Sequence, residues 1–135
     1  MTTVFDKILD KEIPNYTVYE DEHALAFLDI NPAVKGHTLV IPKERVASLA
    51  DLSKEAASGF MHAVQEVNKL LKKNLSCDGV NHLLADGSSA GQEVMHVHMH
   101  LLPRYKNDAQ NFHPVGKQVE MSSQEFVNVQ QQLRS

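Results

Sequence analysis

The chain has 135 residues, 42% of them hydrophobic, which suffices for one packed domain over residues 1–135 and is short for two. Its 13 basic and 17 acidic residues give a net charge of −4 with no basic tract, which argues against a non-specific nucleic-acid surface but leaves room for a nucleotide-sized ligand. The lone Cys77 cannot form an intrachain disulfide, the start MTTVFDKIL is charged where a secretion signal is apolar, and no apolar run approaches a membrane span, so a soluble cytoplasmic protein is expected.

In chain order, Phe5, Ile8 and Leu9 predict a short amphipathic helix that must end before Pro14. YTVYED (16–21) then reads as a strand, and HALAFLDI (23–30) as a second that stops at Asn31-Pro32. GHTLVIPK (36–43) is the third. From Ser53 to Asn74 the period becomes helical, with Phe60, Ala63, Val64, Val67, Leu70 and Leu71 on one stripe. Glu55 near the start and Lys72 and Lys73 near the end suit the helix dipole. GVNHLLAD (79–86) and MHVHMHLLP (95–103) supply a fourth and a fifth strand, separated by the turn-rich DGSSAG. Ser122 and Glu125 form a capping box for a last short helix carrying Phe126, Val129 and Leu133. Apart from the segment holding the long helix, the connections are too short for helical crossovers. The class is therefore α+β, with about five mostly antiparallel strands.

The fifth strand carries the chemistry. HVHMHLLPR (96–104) places histidines at alternate positions, so His96, His98 and His100 share one face and Val97, Met99 and Leu101 the other. Three imidazoles on one face can hold a divalent metal, can be a nucleophile with supporting bases, or can simply face solvent. Spacing leaves these alternatives open.

Other residues bear on the choice. HVHMHLLPR resembles the motif of the histidine triad (HIT) family. LAFLDINP (25–32) and GHTLVIPK (36–43) are similar to that family's nucleotide-pocket strands, AGQEVMHVHMH (90–100) to its phosphate loop, and EIPNYTVYEDE (12–22) to its opening segment. The resemblance runs from about Val4 to Arg104. It implies a HIT-like fold and an enzyme that hydrolyses or transfers nucleoside monophosphates through a covalent nucleotidyl-histidine intermediate. His98 would be the nucleophile, with His96, His100 and His37 around it to stabilise phosphate charge. Gln92, with the backbone N–H groups around Gly91, would orient the phosphate. Asp29 would accept hydrogen bonds from ribose hydroxyls and Ile30 would pack on a purine base. The scheme requires no metal or other cofactor, and a homodimer is implied. Taken singly, Asp29 could cap a turn, Ile30 could be core and His37 structural. His23, His62, His82 and His113 receive no assignment.

The departures from the family pattern are specific. Many relatives hold a structural zinc through a Cys-x-x-Cys near the start and a histidine after the Ile-Pro-Lys segment, where this chain has Thr3, Asp6 and Arg45. A structural zinc is therefore not expected. Leu102-Pro103-Arg104 resembles the bacterial and fragile-histidine-triad branches more than the Hint-like branch. Ala85 replaces an amide side chain, and Glu93 stands where a serine or threonine assists at the phosphate. These two changes bear on the substrate, so nucleoside phosphoramidates and dinucleoside polyphosphates both stand, as does a nucleotide-binding scaffold with vestigial activity. Glu93 can simply turn to solvent; where its carboxylate faces the site, it repels a polyanionic leaving group and favours an amine.

Overall fold

The structure, a computed structural model, describes residues 2–106, 108 and 119–135; His113 lies outside them. The elements are α1 (Val4–Leu9), β1 (Thr17–Glu20), β2 (Ala24–Leu28), β3 (Thr38–Pro42), α2 (Lys54–Asn74), β4 (Gly79–Leu83), β5 (Met99–Arg104) and α3 (Ser123–Arg134). The strands form one sheet in the order β1-β2-β3-β5-β4, and every neighbouring pair is antiparallel.

β2 and β3 are buried along their whole lengths because both faces of the sheet are covered. Leu25, Phe27, Leu39 and Ile41 point to the α1 side and pack with Phe5 and Ile8. Ala24, Ala26, Leu28 and Val40 point the other way, into a larger core with Phe60, Val64, Val67 and Leu71 of α2. The small side chains of Ala24 and Ala26 let the long helix approach the sheet. Gly59 serves a similar closeness, since a Cβ there would lie 2.4 Å from the ring of His23.

Both outer helices begin with reciprocal caps. Ser122 and Glu125 form the capping box read from the sequence. A second box opens α1, where the Thr3 hydroxyl accepts from the Asp6 N–H and the Asp6 carboxylate accepts from the Thr3 N–H at 2.7 Å. The Thr-x-x-Asp spacing was a legible signal for it. α3 closes the far end of the molecule. Phe126, Val129 and Leu133 enter the main core, and Tyr16 stacks on Phe126 at 5.0 Å with the rings 10° apart. Gln130 Nε2 donates to the Thr17 carbonyl at 2.9 Å across 113 positions of sequence, and Asn74 Nδ2 donates to the Leu133 carbonyl at 2.6 Å.

The fifth strand starts later than the alternation predicts. Its ladder begins at Met99, while His96 lies in a bend, with its N–H donating to the Val94 carbonyl at 2.8 Å, and His98 in the irregular segment that leads into the strand. The Val97 N–H there donates to the Val46 carbonyl rather than to a neighbouring strand. The facing pattern survives: Val97 and Leu101 are buried in the α2-side core, and His100 pairs with Leu39, which faces α1.

Candidate active site

The site lies on the α1 face, where the end of β2 and the start of β3 meet the start of β5. Ladder bonding continues past β2, with the Asp29 N–H donating to the His37 carbonyl at 2.9 Å. Gly36 makes the turn into β3 possible. Its φ is +91°, and a Cβ would meet Leu75 at 2.5 Å. Asp29, His37, His98 and His100 are thereby brought onto one face.

The hydrogen bonds fix which ring nitrogens carry protons. His98 Nδ1 lies 2.7 Å from the His96 carbonyl, which can only accept, so Nδ1 is protonated and Nε2 keeps its lone pair. His37 Nδ1 accepts the Ala33 N–H at 2.9 Å, which puts the His37 proton on Nε2. That nitrogen is 2.8 Å from His100 Nδ1 and donates to it, leaving His100 as the tautomer with its proton on Nε2. His96 is 1% exposed, and its Nε2–H donates to the Pro42 carbonyl at 2.9 Å. It supports His98 through its own main-chain carbonyl. Neither that carbonyl, nor Pro42, nor the Ala33 N–H is a feature a residue pattern reveals.

Burial keeps the imidazoles neutral. It pushes His37 down to about 4, and burial together with the neighbouring His37 and His98 pushes His100 down to about 4. His98 is also lowered by burial, against the upward pull of the His96 carbonyl, Asp29 and Glu93. Burial raises Asp29, partly opposed by the Asn31 N–H and by His100 and His98. A neutral His98 with a free Nε2 lone pair is a competent nucleophile near pH 7.

Phe5, which the sequence pattern placed only on the apolar face of a short helix, touches the site. Its ring meets His98 edge-on at 5.0 Å and 76°, and His96 at 5.8 Å and 84°. α1 thus covers the back of two triad members.

The remaining residues read from the sequence fall around this group. Asp29 Oδ1 accepts the Asn31 N–H at 2.8 Å, as a turn-capping aspartate does, while Oδ2 stays turned to the site. Ile30 is 67% exposed, so it is available to a ligand and is not core. The buried Gln92 amide is committed internally: Nε2 donates to the carbonyls of Ala47 (2.9 Å) and Val94 (3.0 Å), and Oε1 accepts the Gly87 N–H at 2.7 Å. It holds the 87–94 loop in shape. Glu93 is exposed, and its charge reaches His98. Ala85 lies two residues beyond the end of β4.

A match to the HIT domain covers residues 10–107. The chain belongs to the HIT family. Its five-stranded antiparallel sheet with flanking helices is the HIT fold, and the family is one of nucleotide-binding hydrolases and transferases. An uncharacterised HIT-like protein of Methanocaldococcus jannaschii is 48% identical over 107 residues, covering 79% of this chain and 82% of its own. The adenosine 5′-monophosphoramidase of Saccharomyces cerevisiae is 41% identical over 101 residues, covering 75% of this chain and 61% of its own. A Hit-like protein from Bartonella henselae, described as involved in cell-cycle regulation, has a solved structure that superposes with a TM-score of 0.86 at 31% identity, over 98% of this chain and 95% of that one.

Against the HIT pattern, the three substituted zinc positions form a different device. Thr3 and Asp6 are spent on the α1 capping box, and Arg45 holds Asp10 through two contacts, at 2.6 and 3.1 Å, and Asp6 at 3.4 Å. A guanidinium repels a divalent cation and has no lone pair to offer, so these residues do not fit a zinc ion. Among the described residues no helix is long and apolar enough to cross a membrane.

Proposed function

We propose that the protein hydrolyses or transfers nucleoside phosphoramidates of the AMP-amine type through a nucleotidyl-His98 intermediate. The observation that carries this reading is the His98 Nδ1–H bond to the His96 carbonyl, which leaves Nε2 as a free base at the site face. In the first step Nε2 attacks the α-phosphorus and the bond to the amine breaks. In the second, water releases the nucleoside monophosphate. The Nε2–H of His100 is a donor for charge developing on the phosphate, and Gln92 keeps the phosphate loop in shape. The Oδ2 of Asp29 is an acceptor for ribose hydroxyls, and the exposed Ile30 offers an apolar surface to a purine base.

Two considerations favour an amine over a polyphosphate as leaving group. The yeast relative is a monophosphoramidase. Glu93 also adds negative charge near His98, which disfavours an incoming polyanion. The test is a ratio of kcat/KM on an adenosine alkyl phosphoramidate to that on a dinucleoside polyphosphate, measured at low salt. The ratio is expected to favour the phosphoramidate, and Glu93→Ser is expected to lower it several-fold. A wild-type preference for the polyphosphate would reverse the assignment.

We infer also that the protein is a homodimer. Among the described residues β4 ends the sheet with an unpaired edge, and a two-fold dimer, the commonest soluble oligomer, is one way to cover it. Light scattering at micromolar protein is expected to report about twice the chain's 15.1 kDa. A monomer at every concentration would contradict this.

A further inference from the structure

Asp29, His37 and His100 present one ligand atom each, all within 4.8 Å of one another. A tetrahedral transition metal bound at about 2.0–2.2 Å could span such a gap. The proton positions speak against it. Because Ala33 donates to His37 Nδ1, His37 Nε2 carries its hydrogen and has no lone pair for a metal. With one of its three ligand atoms carrying a hydrogen that the next one accepts, the group of two imidazoles and a carboxylate is arranged around a proton.

That proton has a place in the reaction. An alkylamine leaves phosphorus only as a neutral amine, so its nitrogen must gain a proton as the bond breaks. In the unliganded site His100 is neutral, and its Nδ1 accepts from His37. An anionic phosphate beside His100 favours the imidazolium, with the second proton taken from solvent. Nδ1 then becomes a donor and can no longer accept from His37 Nε2–H, since two donors would face each other. Among the described residues, the charged and titratable groups around His100 are His37 before β3, His98 just before β5 and Asp29 after β2, while β4 presents the apolar Leu83. Of these, the acceptor turned toward both N–H groups is Asp29 Oδ2, at 4.0 Å from His100 Nδ1 and 3.5 Å from His37 Nε2.

We propose that Asp29 is the counter-ion that lets His100 carry the leaving-group proton once an anionic phosphate is bound. The inference rests on the covalent-histidine reading above and adds a second duty to a residue otherwise assigned to the ribose. When His98 Nε2 bonds to phosphorus, His100 passes its Nε2 proton to the departing amine. It returns to neutral with Nδ1–H directed at Asp29. Its Nε2 lone pair then accepts a proton from the water that breaks the phosphorus–His98 bond, which restores the imidazolium. Asp29 acts through His100 and is a positioning residue in this respect.

Asp29→Asn tests it. The asparagine oxygen can still accept the Asn31 N–H, but its amide sets a further donor against the two imidazole N–H groups. Wild type and variant are compared on adenosine and 2′,3′-dideoxyadenosine alkyl phosphoramidates, and on the p-nitrophenyl ester of AMP, whose leaving group departs without a proton. Equilibrium binding of 2′,3′-dideoxyadenosine 5′-monophosphate, which has no ribose hydroxyls for residue 29 to hold, reports whether the variant still folds its pocket. On the phosphoramidates kcat is expected to fall about 100-fold for both sugars, the lower end of what a proton donor supplies. The fall on the nitrophenyl ester is expected to be tenfold or more smaller, and the alkaline limb of the kcat profile is expected to move to lower pH. If Asp29 serves the ribose alone, the loss disappears on the dideoxy sugar; an equal loss with both leaving groups likewise overturns the proposal. Failure of wild type to form a His98 adduct would instead count against the covalent reading, so the two failures are distinct.

Discussion

His98→Ala is expected to lose turnover of an adenosine phosphoramidate by about 10⁴-fold or more, the scale seen when the nucleophile of a covalent mechanism is removed. The wild-type protein, mixed with substrate and quenched in mild base, is expected to gain the mass of one nucleoside monophosphate. That adduct should be lost in acid, because protonating the imidazole makes it a good leaving group. The alanine variant should gain nothing. His98→Asn is the sharper control. An asparagine amide can still donate to the His96 carbonyl that now anchors Nδ1 and can sit under Phe5, but it has no ring lone pair to attack with. It should keep nucleotide affinity and lose turnover. Substantial turnover in either variant would remove His98 from the chemistry.

Lowering the pH is expected to destabilise the fold in a window set by the imidazoles. His37 and His100 are held near 4 by burial, against the 6.5 of an exposed imidazole. Between those values the unfolded chain binds more protons than the folded one. Stability is therefore retained above pH 6.5, falls on descending toward pH 4, and levels for these groups below it. For a single such imidazole the loss is about 3 kcal/mol, at roughly 1.4 kcal/mol per pH unit. Burial also lowers His96 and His98, which adds in the same direction. Asp29 works oppositely, since its raised value makes its protonation favour the folded state at the bottom of the window. Urea unfolding at pH 7, 5.5 and 4.5 should show the midpoint falling at each step. His100→Gln, which carries no proton in either state, should flatten the slope. A midpoint independent of pH over that range would contradict the burial of these rings as neutral species.

The sequence made the arrangement of faces legible, because alternation along HVHMH and the apolar stripe of α2 are direct statements of which side chains meet water. It also announced the cap at Ser122 and Glu125. The boundaries were less visible. Burial of β2 on both sides hides its end in an unbroken apolar run, and the ladder of β5 starts three residues after His96 because the segment before it bonds to the Val46 carbonyl. Protonation was not legible at all. The tautomers of His37, His98 and His100 follow from main-chain groups at Ala33 and His96, and every residue has such groups. Gln92 shows the same limit. Its place in the loop was readable, whereas its commitment to three backbone partners depends on how the loop folds back on Ala47.

The seam between β1 and α3 bears on how the chain can be made. The first strand receives its side-chain hydrogen bond from Gln130, and the core it borders is filled from the other side by Phe126, Val129 and Leu133. None of these residues has been synthesised when β1 to β5 are complete. During translation the part of the core that β1 borders therefore waits with apolar surface uncovered until α3 has emerged, so closure of this face trails completion of the sheet. In that interval the nascent chain offers Tyr16 and its neighbours to any chaperone at the exit tunnel, although every triad residue has already been synthesised.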